Sequence, residues 1–223
     1  MASWMVHLRI TDQLLDRIGE LAPTEFVVGN IAPDSGVPNE DWSKFTPDSE
    51  TTHFKRKGIN KDKDICIEDY VNAYFTKEMQ RKYDKKQYSF FLGYLTHLLT
   101  DILWYNNIVT KTLEKYPEEC AKDRTAFIWT IKRDWYDLDH LYLDNHPEFR
   151  AFDLYEKAVG FENKYMDIFP DNAFDDRRIY ITGFYRQERN DLDHEYVYLT
   201  EPEMAKFVDE SVETILSQLK EIL

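Results

Sequence analysis

Residues 90–104, FFLGYLTHLLTDILW, decide how this chain folds. Phe90, Phe91, Leu92, Tyr94, Leu95, Leu98, Leu99, Ile102, Leu103 and Trp104 put apolar side chains on nearly every side of a helix. A helix of that kind is a central, buried one. Four residues advance a helix by about 6 Å and a little over one turn, so His97 and Asp101 share a face. Burying a carboxylate is costly unless something compensates it. The compensator is either a partner side chain or a metal ion.

The rest of the composition agrees with a helical core. The 223 residues suit one domain spanning 1–223. With 43% hydrophobic and 15% aromatic residues the chain can fill a sizeable core, and only 7 Gly and 8 Pro argue for long helices over strands and turns. The fold class expected is therefore all-α, a multi-helix bundle. Acidic residues outnumber basic ones by 42 to 28, for a net charge of −14. Such a surface repels nucleic acid and anionic membranes, so neither is expected as a stable partner. No stretch approaches the ~20 apolar residues of a membrane span. The N-terminus lacks the basic start and apolar run of a signal peptide, so a cytoplasmic protein is expected. Cys66 and Cys120 form no CxxC pair and read as inert thiols.

Outward from the central stretch, the spacing of apolar residues predicts a first helix over 4–20, then an irregular segment over 21–62 with four prolines. That segment is too long for an ordinary connection and hints at a functional loop. Helices are expected at 64–83, 87–107, 108–116 and 119–143. Another is expected to start at HPEF, 146–149, with Asn145 as its cap, and to run through the Lys164 region. IYITGFY, 179–185, reads equally as a short strand or a bent helix. A last amphipathic helix begins near Glu201-Pro202. The tetrapeptide DLDH at 137–140 and 191–194 has different flanks and is no repeat.

Six histidines are few enough to weigh singly. His97 with Asp101 is the sharpest pair, against a plain His–Asp hydrogen bond in the core. His53 lies in TTHF and Asp34 in GNIAPDSG, inside the irregular segment, where each also fits an ordinary solvated loop or turn. His7 borders the apolar face of the first helix. His140 and Asp144, in DHLYLD, repeat the His-x-x-x-acid spacing in a more acidic setting, where a solvated face competes. His146 fits a helix start and His194 a loop. The basic run Lys55-Arg56-Lys57 after His53 could attract an anion, but a solvated basic loop is preferred. As a set, imidazoles and carboxylates suit zinc or another divalent ion, and i, i+4 pairs on helices are a standard way to supply them.

The order His7, Pro33-Asp34, His53-Phe54, GYLTHLLTD and His140-x-x-x-Asp144 resembles the zinc-dependent phospholipase C family, which shares its all-helical fold with the P1-type nucleases. The resemblance covers roughly residues 1 to 145. It implies one metal site from Asp34, His53, His97 and Asp101, and a second from His7 with Asp101 as the bridging carboxylate. His140 and Asp144 would supply part of a remaining site, for one to three ions in all. It also implies that Asp34 orients the nucleophilic water. Two positions depart from the family. Trp4 lies three residues before His7 where the exported enzymes have an N-terminal tryptophan. The family's histidine shortly after HxxxD is replaced here by YNN, 105–107. The function implied is a metal-dependent hydrolase of phosphate esters, a phosphodiesterase, acting on a small phosphorylated substrate. The alternative is a non-catalytic, metal-stabilised binding protein retaining part of the site.

Overall fold

The computed structural model describes residues 1–41, 43–56, 64–189 and 191–222. Twelve α-helices among them account for most of the chain, and one two-stranded ribbon is the only sheet among the described residues. At the centre lies α6, Lys85–Trp104, whose residues from Ser89 to Asp101 are buried without a break. Asp84 starts it with a reciprocal capping box to Gln87. The helix does not stop at Trp104. A wider π-helical turn, Tyr105–Val109, carries it into α7, Thr110–Lys115.

Against α6 packs α2, Pro23–Ile31, within the stretch expected to be irregular. The expectation fails because FVVGNI carries β-branched residues and a glycine, which score poorly as helix formers. Tertiary burial overrides that preference, and Pro23 at the first turn is compatible with it. Gly29 and Gly93 make the contact possible. A β-carbon on Gly93 would lie 2.8 Å from the Asn30 amide nitrogen, and one on Gly29 would lie 2.8 Å from the Phe90 α-carbon. Neither space exists, so the backbones of the two helices touch. α1, Trp4–Arg17, lies against α2, α6 and the amphipathic α12, Glu201–Ile222, which starts where the sequence places it. Arg17–Glu213 and Gln13–Asp209 bonds stitch α1 to α12 at the surface.

The described remainder of 21–62 is more ordered than expected. Ala32–Asp34 forms a 3-10 turn, Val37–Pro38 (β1) pairs antiparallel with Phe45–Thr46 (β2), and Ser49–Thr52 makes the single turn α3, capped by Asp48. Of the basic run, Lys57 lies outside the described residues; Arg56 is exposed and pairs with Asp69. The single helix expected at 64–83 is two, α4 (Ile67–Tyr74) and α5 (Lys77–Lys82), because Thr76 caps a new N-terminus by accepting from Met79 N–H. Likewise the expected 119–143 helix divides into α8 (Pro117–Lys122) and α9 (Arg124–Asn145) at the cap Asp123. The helix start expected at Asn145 is displaced: α9 runs through Asn145, and α10 is short, Arg150–Lys157. Residues 179–185 fall inside α11, Ala173–Tyr185, which settles that segment as helix. Cys66 and Cys120 are both unpaired.

Candidate metal centre

Four separate segments deliver side chains to one buried point. His97 and Asp101 come from the middle of α6, His7 from the first turns of α1, His53 from the end of α3, and Asp34 from the turn after α2. His7, His97 and Asp101 have no exposed surface, and His53 is 1% exposed. Within this cluster His53 Nε2 lies 3.3 Å from His97 Nε2, 3.4 Å from Asp34 Oδ1 and 3.6 Å from Asp101 Oδ2. His97 Nε2 is 4.0 Å from Asp101 Oδ2. The other oxygen of Asp101 faces away, 3.5 Å from His7 Nε2. Asp101 thus presents one oxygen to His53 and His97 and the other to His7.

The histidine rings are oriented by backbone and hydroxyl partners. His97 Nδ1 is 2.6 Å from the carbonyl oxygen of Asn30. A carbonyl only accepts, so Nδ1 carries the proton and Nε2 turns a lone pair into the cluster. The helix packing that sequence reasoning missed therefore sets this tautomer. His53 Nδ1 is 2.9 Å from the Thr52 hydroxyl. His7 stacks flat on His97, ring centroids 3.9 Å apart. The carboxylates are held from outside as well. The Ala2 amide donates to Asp101 Oδ1 at 2.7 Å, and the Trp4 indole N–H donates to Asp34 Oδ2 at 2.8 Å.

Electrostatics set the charge states. Burial, and after it the neighbouring His7, pushes the His97 imidazolium down to about 3, so His97 is neutral near pH 7. Burial opposes the charge of Asp34, but the His53 hydrogen bond outweighs it together with the nearby imidazoles, and the carboxyl sits well below the usual range. Burial also opposes the Asp101 charge. The N-terminal ammonium and His7 overcome it and hold that carboxyl low too.

This donor set fits a divalent metal. His7 Nδ1 and Nε2 and Asp101 Oδ2 are buried with no hydrogen-bond partner, a rare and costly condition for polar atoms. A tetrahedron with zinc bonds of ~2.0–2.1 Å has edges of about 3.3–3.4 Å, which is the spacing of His53 Nε2 from its two nearest neighbours. Two groups are each close enough to hold an ion: Asp34 with His53 and His97, and His7 with His97 and Asp101. The structure therefore brings together five of the seven sequence candidates. His140 and Asp144 fall in neither group. His140 is buried on α9 beside Phe184 and Tyr185, with its Nε2 unpartnered, and Asp144 is exposed. The fully buried acid of that helix turn is Asp139, which accepts from Ser3 Oγ at 2.9 Å and from Tyr185 Oη at 2.8 Å. Its signal in the sequence was weak, since DLDH reads as one more acidic stretch.

A cavity of about 280 Å³ opens beside Asp34 and His53. Trp4, Phe45, Trp135 and Tyr136 wall it, and Lys132 and Arg177 bring positive charge. Sequence reasoning assigned none of these six; their apolar and basic spacing carries no metal-site pattern.

A family model described as zinc-dependent phospholipase C matches residues 6–132. No curated protein and no solved structure matches the chain. The matched span runs from α1 into α9 and contains His7, Asp34, His53, His97 and Asp101, with the cavity residues Phe45 and Lys132. The chain belongs to the zinc-dependent phospholipase C family.

Proposed function

We propose that this chain is a metal-dependent phosphoric-ester hydrolase that cleaves a phosphodiester, with zinc or a similar divalent ion held by Asp34, His53, His97, Asp101 and His7. The observation that supports it most is the convergence of these five side chains in two adjoining buried groups, with His7 and Asp101 Oδ2 left without hydrogen-bond partners. Bound divalent ions would supply Lewis acidity toward a phosphoryl oxygen and lower the pKa of a coordinated water.

The protein's own residues do the rest. Asp34 stands at the edge of the centre and lines the cavity, so its carboxylate can accept a proton from a water entering there. Trp4 fixes that carboxylate from one side and His53 from the other. Asn30 and Thr52 hold the two imidazoles in place, which limits reorganisation during the reaction. The walls of Trp4, Phe45 and Trp135 exclude bulk water from the phosphate. His140 and Asp144 have no part in these five-residue contacts, and a third ion held by them is not needed for this reading.

The test is hydrolysis of bis-(p-nitrophenyl) phosphate by protein of measured metal content. Activity lost on chelation and restored by zinc is expected. Full metal occupancy without hydrolysis of any phosphate ester would favour a metal-stabilised binding protein instead.

A further inference from the structure

We propose that the cavity beside the metal centre selects substrates bearing a second anionic group, bound by Arg177 with support from Lys132, and disfavours quaternary-ammonium groups. This deepens the hydrolase reading and rests on it for the position of the scissile phosphate.

Arg177 sits on α11 and is 7% exposed, unusual for a guanidinium without an acid partner. Among the described residues its one hydrogen bond is from Nη2 to the Gly36 carbonyl at 2.7 Å. No carboxylate among the described residues pairs with it. Five N–H donors in a planar fork suit a carboxylate or phosphate, and one bond leaves most of that fork unused. Gly36 follows Asp34 by two residues, so the same contact ties Arg177 to the loop that carries the candidate water-orienting acid.

Aromatic rings attract cations, but one already stands on this wall. The Arg177 guanidinium lies over Phe45, with Cζ 5.8 Å from the ring centroid. A trimethylammonium group entering the cavity would be repelled by Arg177 and Lys132. The charge inventory agrees. In a chain with 42 acidic and 28 basic residues, the cavity carries, among the described residues, two basic side chains against the single carboxylate of Asp34, which faces the metal centre. That reversal of sign is local, and it favours an anion.

Three phosphomonoesters of similar size provide the test: 3-phosphoglycerate with an added carboxylate, glycerol 3-phosphate with none, and phosphocholine with an ammonium. Calorimetric titration of metal-loaded protein should rank them in that order. An added charge-assisted contact should separate the first from the last by about tenfold or more. Arg177→Gln should weaken 3-phosphoglycerate by about tenfold while leaving metal content intact and moving the other two far less. Because Arg177 also bonds Gly36, Lys132→Gln serves as a second variant and should narrow the same preference by severalfold. Phosphocholine binding as tightly as 3-phosphoglycerate, or a preference that survives both substitutions, would overturn the proposal. Protein that binds no metal would instead refute the hydrolase reading, while the ranking measured in chelated protein would still decide the cavity's preference. Hydrolysis of phosphatidylinositol 4-phosphate in micelles, against its deacylated soluble form, separates a lipid from a soluble source of the anionic group.

Discussion

Replacing Asp101 by asparagine is the sharpest perturbation of the centre, because it keeps the volume and removes only the charge. The oxygen of the new amide can still accept the Ala2 N–H, now 2.7 Å from Oδ1. What is lost is the carboxylate shared between His7 on one side and His53 with His97 on the other. A four-ligand zinc site is worth ~10–16 kcal/mol, or about 3 kcal/mol per ligand, so metal affinity should fall by at least roughly 100-fold. At a metal concentration about 100 times the wild-type Kd, the variant would then lose about 2.3 kcal/mol of metal-linked stability. For a chain of this length that corresponds to a drop in Tm of roughly 5–10 °C. In chelated protein the penalty is smaller. Without metal the Asp101 charge is still held by the N-terminal ammonium and His7, although Oδ2 has no hydrogen-bond partner. Asp101→Asn should therefore fall below wild-type Tm by less once chelator is added, and chelator should move the variant's own Tm little. Scanning calorimetry of both proteins, with and without chelator, gives four melting temperatures and one clear interaction. A wild-type Tm unmoved by chelator, with Asp101→Asn equally costly in both conditions, would show that the buried pair is structural and refute the reasoning.

The other expectations are brief. Gly93→Ala should destabilise the fold by about 1–3 kcal/mol, since its β-carbon would sit 2.8 Å from the Asn30 amide, and it should also lower metal content by shifting the carbonyl that orients His97; denaturant melts with metal analysis check both. His140→Ala should lose less metal than Asp101→Asn, because His140 lies outside both candidate groups. Burial raises the Asp139 carboxyl to about 7, despite the opposing hydrogen bonds from Tyr185 and Ser3 and the charge of Arg9. The folded state therefore binds more protons than the unfolded state between about pH 4 and 7, and this group's contribution to stability falls as pH rises through that window. Asp139→Asn should flatten the decline, measured by urea melts of chelated protein across that range.

The central helix and its His–Asp pair were legible because both leave a local signature: apolar residues on every side of FFLGYLTHLLTDILW, and two ligand-type residues one turn apart. The final helix was legible for the same reason, as Met204, Phe207, Val208, Val212, Ile215 and Leu219 repeat at helical spacing and are all buried. What the sequence hid has contacts as its cause. α2 is short, with a glycine and valines inside it, and it is held by backbone-to-backbone packing on α6 that no single-segment pattern encodes. The breaks at Thr76 and Asp123 depend on one capping hydrogen bond each, which a periodicity reading averages away. His140–Asp144 has the same spacing as His97–Asp101 and a different fate, because spacing fixes a helix face without saying what that face meets.

The hidden and the legible parts depend on each other at the centre. His97 is readable as a candidate ligand, yet a histidine offers a lone pair at Nε2 only when Nδ1 holds the proton. That condition is imposed by the Asn30 carbonyl, at the end of α2, which reaches His97 because Gly29 and Gly93 let the two backbones meet. The same helix then turns through Pro33 and delivers Asp34 to within 3.4 Å of His53. One unpredicted helix thus fixes the tautomer of one candidate ligand and the position of another. The glycine pair belongs to the candidate metal centre as much as to the core, and a change that merely separates α2 from α6 would dismantle the site without touching any of its five side chains.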